Sequence, residues 1–268
     1  MKDHLRSLVR GLDPLVGRNV LREYIQARIL EGLQRAGAMS PLAFQGGTAL
    51  RFLYGLRRYS EDLDFALEGP RELYDLRGWT RAIVRQFRRE GYEAEASVRD
   101  RGNVHTGWIR VRGALFETGL SPHREETLGV KVDVDTHPPA GAVTATRLVR
   151  RHVSLRLHHH DRASLLAGKL HAVLCRPWTK GRDIYDLAWY LSDPTWPSPN
   201  LELLNAAVRQ SDAEAVPLDA CTWPGVVAAR VEGLSWETVV ADVRPFLEGD
   251  EEMVGKGDVL GLLEARRG

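Results

Sequence analysis

The chain has 268 residues, 43% of them hydrophobic and 27% charged, and a formal net charge of +1. This is the composition of an ordinary globular protein; it excludes disordered and fibrous classes, and the length allows one large domain or two small ones. The near-zero net charge gives no global electrostatic reason to expect nucleic acid as a partner.

Cys175 and Cys221 are the two cysteines and lack metal-type spacing. No disulfide framework is indicated, and a reducing cytoplasm is the expected location. The opening residues MKDHLRSLVRGLDPLVG have no long apolar core of the signal-peptide kind. No stretch approaches the roughly 20 apolar residues that a bilayer crossing needs, so no membrane partner is expected.

In chain order, Leu21, Ile25, Ile29 and Leu33 recur every four residues and predict an amphipathic helix over 18–35. Pro41-Leu-Ala-Phe-Gln reads as a short buried strand ending at Gly46-Gly47, and Thr48 to Tyr54 as a helix stopped by Gly55. The alternation in Asp62-Leu-Asp-Phe-Ala-Leu predicts a strand. An arginine-rich helix is expected over 71–90, then strands near 93–99, 107–112 and 129–135. Helical patterns dominate later, at 161–176, 182–192 and 200–210. The expected class is therefore α+β, with a mixed domain over 1–155 and a mostly helical one over 156–268.

Asp62 and Asp64, one residue apart on an expected strand, leave the same face about 6–7 Å apart at the backbone. Two carboxylates that close repel each other, and keeping both ionised calls for a cation, with Mg2+ (or Mn2+) the natural choice among hard metals. Asp133 supplies a third acid from Gly129-Val-Lys-Val-Asp-Val-Asp, with Lys131 on the same side and Val132 and Val134 on the other. Three such acids suit a pair of metal ions that activate an attacking hydroxyl and neutralise departing pyrophosphate. Gly46, Gly47 and Thr48 stand at a helix entrance, where close backbone approach and unpaired N–H groups suit a triphosphate; the Thr48 hydroxyl is expected to cap the helix or bind phosphate.

Gln45-Gly-Gly-Thr-Ala-Leu-Arg-Phe-Leu-Tyr-Gly followed by Arg58-Tyr-Ser-Glu-Asp-Leu-Asp-Phe resembles the first motif of the AbiEii/AbiGii toxin family, which includes the MenT-type toxins. Lys169 followed by Arg182-Asp183-Ile-Tyr-Asp186-Leu resembles its second block. The resemblance spans about 41–192 and implies a polymerase-beta-like nucleotidyltransferase core, a mixed sheet with flanking helices. It implies NTP as substrate, metal ligation by Asp62 and Asp64, and phosphate binding by Gly47 and Thr48. It also gives Lys169 the triphosphate charge to neutralise and makes Asp186 a further acid that orients Lys169 or acts close to the nucleotide. Ser60 matches a position that accepts a phosphoryl or nucleotidyl group in some members. The loop between Lys169 and Arg182 is slightly longer than the family's usual one, which leaves Asp183 and Asp186 both open as the facing acid, with Asp186 the favoured one. A toxin acting on the tRNA 3′ end and restrained by a cognate antitoxin is the implied biology. The alternatives are a transferase directed at protein, itself or its antitoxin, and a non-catalytic nucleotide-binding module.

Other features have plainer readings. The segment 147–162, with Arg147, Arg150, Arg151, Arg156 and Arg162, fits a tRNA backbone or a solvated basic linker. His158 to His160 point different ways and make a poor metal site. Gly255-Lys-Gly-Asp reads as a flexible turn without P-loop spacing, and Trp178, Trp189, Trp196, Trp223 and Trp236 as core or domain contacts. A metal phosphohydrolase built on His160, Asp161 and His171 lacks further evident ligands.

Overall fold

A computed structural model describes residues 2–267. These form two compact units, one of residues up to 55, 59–137 and 146–159, the other of 56–58, 138–145 and 160 onward.

The first unit opens with α1 (Lys2–Val9) and α2 (Pro14–Arg35). The sequence pattern placed the start of α2 at residue 18; it begins earlier because the Asp13 carboxylate accepts from the Leu15 and Val16 amides and Pro14 takes the first turn. There follow β1 (Leu42–Gln45), α3 (Gly46–Tyr54), β2 (Leu63–Leu67), α4 (Leu76–Arg89), β3 (Glu93–Arg99), β4 (Val104–Arg112), α5 (Ala114–Glu117), β5 (Thr127–Asp135), β6 (Thr144–Arg151) and β7 (Val153–His160).

The strands make one mixed sheet in the order β3-β4-β5-β2-β1-β7-β6. β1 runs antiparallel to β2, while β2 is parallel to β5 and β1 to β7. Alternation separates the faces of β5. Leu128, Val130, Val132 and Val134 are buried, whereas Thr127, Gly129, Lys131, Asp133 and Asp135 lie on the more open side. α2 packs against β5, and α4 packs against β3 and β4, burying Leu76, Trp79, Ile83, Val84 and Phe87.

The basic stretch 147–162 is not a linker. Arg147 to His160 form most of β6 and β7, with the Leu155 and Leu157 side chains fully buried. β7 continues the sheet to His160, and the first unit runs to residue 159. Only His152 separates β6 from β7, in the left-handed region at φ 60°. A buried charge cluster holds it there. The Glu23 carboxylate on α2 accepts from Arg151 at 2.9 Å and 3.1 Å, lies 3.1 Å from His152 Nε2, and pairs with the buried Arg51 of α3.

The second unit is mainly helical: α6 (Arg162–Cys175), α7 (Gly181–Leu191), α8 (Leu201–Ser211), α9 (Trp223–Glu232), α10 (Trp236–Val243) and α11 (Lys256–Glu264). Leu170, Ile184, Leu187, Leu204, Trp223 and Val227 are in its core. Trp196 packs edge-on to Trp189 at 4.8 Å and to Tyr190 at 4.5 Å. Trp178, expected inside, is instead 72% exposed, on the loop between α6 and α7. The presumed turn at Gly255 begins α11, because the Asp258 carboxylate accepts from the Gly255 amide at 2.9 Å and Val259 and Leu263 bury a face. Among the described residues no helix is long and apolar enough to cross a membrane.

Burial works against ionisation of Glu23, but hydrogen bonds from His152 and Arg151 and the charge of Arg51 bring its carboxyl down to about 2. A depressed acid contributes stability above its unfolded value of 4.5 and loses it as pH falls toward 2. Glu23→Gln is therefore expected to remove a stabilisation of about 3 kcal/mol at neutral pH and to flatten urea-unfolding stability between pH 5 and 2.

Candidate active site

Asp64 lies within β2, and Asp62 just ahead of it, outside the strand in which it was expected. The parallel pairing of β2 with β5 sets Asp64 beside Asp133, and Gln45 of β1 pairs with Asp64 from the other side. Two carboxylate-bearing positions thus meet in register, with Asp62 one step beyond the end of the strand.

A lysine answers this concentration of negative charge. Lys131 Nζ lies 2.8 Å from Asp133 Oδ2 and 3.4 Å from Asp62 Oδ2. Thr106 of β4 donates its hydroxyl to Asp133 Oδ1 at 2.8 Å. Burial opposes the charge on Lys131, yet the hydrogen bond to Asp133 and the charges of Asp62 and Asp133 raise its pKa. Burial is the largest influence on Asp62 and, with the charges of Asp133 and Glu61, holds its carboxyl above the usual range while Lys131 pulls the other way. Among the described residues no three histidine, cysteine, aspartate or glutamate side chains are grouped into a finished metal cage. Carboxylate oxygens are the donor type that a hard cation takes, and the Lys131 ammonium supplies positive charge between Asp62 and Asp133.

The glycine turn abuts the same acids. Gly46 has φ +79°, and a Cβ there would lie 2.5 Å from Asp64 Oδ2. Glycine is required twice over, for conformation and for space. Gln45, at the N-cap of α3, makes no capping bond with its side chain. Thr48 is fully buried and donates its hydroxyl to the Asp62 carbonyl at 2.5 Å. With its single proton committed to that carbonyl, it ties the loop's end to α3 rather than capping the helix. Gly47 is buried in the first turn of α3. Ser60 is half-buried, and its carbonyl accepts from the Gln26 amide at 3.0 Å.

The second unit holds a separate buried charge network. Asp186, fully buried on α7, accepts from Arg58 Nε and one Nη at 2.6 Å each. Lys169 of α6 lies 2.6 Å from Asp186 and 3.1 Å from Asp183, which Arg176 also engages. Lys169 therefore meets both of the acids left open by the sequence. Burial opposes its charge, but Asp186 and Asp183 raise its pKa. Burial likewise opposes the ionisation of Asp183, but Lys169 and Arg176 keep its carboxyl lowered. Residues 56–58 are stitched to this unit by a bridge from Arg58 to Leu247 and by the Glu248 amide donating to the Arg57 carbonyl at 3.2 Å.

Sequence reasoning gave Arg58 no role. Its place in the run leading to Asp62 was the available signal, but only the fold reveals the bidentate partner. Thr106 was also missed, since its value comes from the antiparallel register of β4 on β5.

Residues 28–243 match the model of the AbiEii nucleotidyl transferase toxins of type IV toxin–antitoxin systems. The chain belongs to that family. Among solved structures, this AbiEii chain is similar to JHP933 from Helicobacter pylori, with 15% identity, TM-score 0.54, and coverage of 93% of this chain and 91% of that one. It is also similar to an H. pylori protein named provisionally as a nucleotidyltransferase, with 15% identity, TM-score 0.52, and coverage of 92% and 93%. At that identity these two matches speak for the fold. No curated protein matches the AbiEii chain.

Gly46→Ala is expected to abolish nucleotidyl transfer while leaving the protein folded, as read by turnover alongside circular dichroism. Arg58→Met removes two charge-assisted hydrogen bonds from the buried Asp186 carboxylate and leaves Lys169 to answer it, and should cost roughly 3–5 kcal/mol in denaturant unfolding.

Proposed function

We propose that this protein is a metal-dependent nucleotidyltransferase with a polymerase-beta-like core, moving a nucleoside monophosphate from an NTP to an acceptor hydroxyl. The observation that carries the reading is the registration of Asp64 with Asp133 beside the Cβ-free turn at Gly46. Asp62, Asp64 and Asp133 would hold Mg2+ or Mn2+, which when bound lowers the acceptor hydroxyl's pKa and neutralises charge on the phosphates.

The chain's own part is positioning and charge. Gly46 and Gly47 let the backbone approach the triphosphate, and the uncapped first turn of α3 offers N–H groups to its oxygens. Thr48 keeps Asp62 tied to that turn. Lys131 holds Asp62 and Asp133 together and contributes positive charge where negative charge develops. The acceptor oxygen bonds to the α-phosphorus, the bond from that phosphorus to the β-phosphate bridging oxygen breaks, pyrophosphate leaves, and the hydroxyl proton passes to water. Lys169 and Asp186 keep the roles implied by the resemblance, a phosphate-neutralising ammonium oriented by a buried acid.

Membership of a type IV toxin–antitoxin family favours a cognate antitoxin as partner, and the tRNA 3′ end is the acceptor that the resemblance of the sequence motifs implies. Arg147, Arg150 and Arg156, exposed on β6 and β7 beyond β1, would meet RNA backbone away from the reacting 3′ end. Ser60 as a self-modification site is the secondary reading. Incubation with Mg2+, each α-labelled NTP and total tRNA is expected to label RNA in the wild type. Asp64→Asn should lower labelling about a hundred- to a thousand-fold, the scale of losing a transition-state electrostatic group. Label confined to protein would refute the tRNA assignment, and comparing the intact mass of wild type with that of Ser60→Ala would then tell whether Ser60 carries it.

A further inference from the structure

The open face of the first unit's sheet carries an aromatic residue that the chemistry above leaves unused. On β4, Trp108 stands directly opposite Lys131, and Thr106 opposite Asp133. Cross-strand partners lie about 5 Å apart at Cα, so the indole sits one strand beyond the acids. Neighbouring Ile109 and Val111 are fully buried on the other face, whereas Trp108 is 37% exposed. Its ring lies along Gly129 of β5: a Cβ there would come 3.4 Å and 3.5 Å from two indole carbons. Arg110 places its guanidinium 5.3 Å from the indole centroid and donates to the Ser97 hydroxyl at 3.2 Å, which restrains it. Arg99, exposed on β3, continues the row of Asp133 and Thr106.

The strand order gives this patch a direction. From one side to the other come β1 with the Gly46 turn at its end, β2 with Asp64, β5 with Asp133, and β4 with Trp108. In an in-line displacement the attacking oxygen and the leaving pyrophosphate lie on opposite sides of the phosphorus. If the Gly46 turn holds the pyrophosphate, the acceptor comes from the β4 side. We propose that Trp108, with Arg110, is the platform on which the terminal base of a nucleic-acid acceptor stacks, Arg110 and Arg99 facing its phosphates. The assignment to the acceptor rests on the transferase reading; the stacking itself rests on the exposed indole–guanidinium pair. An aromatic face accepts any base, so the platform supplies affinity and placement with little sequence preference.

The test uses the full chain with Mg2+ and no NTP. It compares two short 5′-fluorescein-labelled single-stranded RNAs that differ only in whether the 3′-terminal nucleotide carries a base. Wild type should bind the base-bearing probe more tightly. Trp108→Ala should weaken that binding about ten-fold and leave the abasic probe unchanged, while Trp108→Phe should keep most of the affinity and guards against a folding defect. Equal loss for both probes, or loss for neither, overturns the proposal. So does weakened binding of a fluorescent NTP analogue with RNA binding intact, which would assign the indole to the donor nucleotide. Nucleotidyl transfer is scored separately on wild type, so probe discrimination without transfer would retain the stacking surface and reject the transferase reading.

Discussion

Placing Asp64 and Asp133 side by side on adjacent parallel strands gathers negative charge at one edge of a partly buried sheet face, and Asp62 adds to it at the strand entry. Such charge persists only if cations or donors answer it. Lys131 and Thr106 do so from β5 and β4, and the missing side chain at Gly46 keeps the space beside Asp64 open. Register comes first in this arrangement. A slip of β5 by one residue would turn Asp133 to the valine face and bring Val132 or Val134 outward. The apolar alternation that builds the core of β5 therefore also aims its acid.

The second unit meets a harder version of the same problem. Asp186 is wholly enclosed, so its charge has no water to lean on, and Arg58 and Lys169 replace hydration with directed hydrogen bonds. A bidentate guanidinium suits this better than a second ammonium, because two parallel bonds fix the carboxylate plane. Buried networks of this kind add little net stability compared with apolar packing, but they penalise every arrangement that breaks them. Lys169 thus has a defined position because both of its acid partners do.

Much of the fold was legible in the sequence where one periodicity ruled. The helices later found at 162–175, 181–191 and 201–211, and the strands around Asp64 and Asp133, differ from their expected bounds by a few residues at most. The edge hairpin was not legible. Arginines at 147, 150, 151 and 156 hide its alternation, and its one-residue turn uses a histidine rather than a glycine. Of the candidate site, the acids and the glycine turn could be read because their chemistry lies in adjacent residues. Thr106, Arg58 and Trp108 could not, because each depends on a partner distant in sequence: 27 residues from Thr106 to Asp133, and 128 from Arg58 to Asp186. Thr48 was read as a cap or a phosphate contact from its place at a helix start, and its hydroxyl donates to the Asp62 carbonyl ahead of β2.

The three residues at 56–58 carry a consequence for how the polypeptide is made. They emerge early in synthesis, yet they belong to the helical unit, whose remaining parts are 138–145 and 160 onward. Until those arrive, Arg58 lacks the carboxylate that immobilises it, and the helical segment folded without it would enclose Asp186 short of its guanidinium. A piece beginning at residue 160 lacks both 56–58 and 138–145 of its own unit. A cut at the apparent boundary would place Arg58 and its partner Asp186 on different pieces.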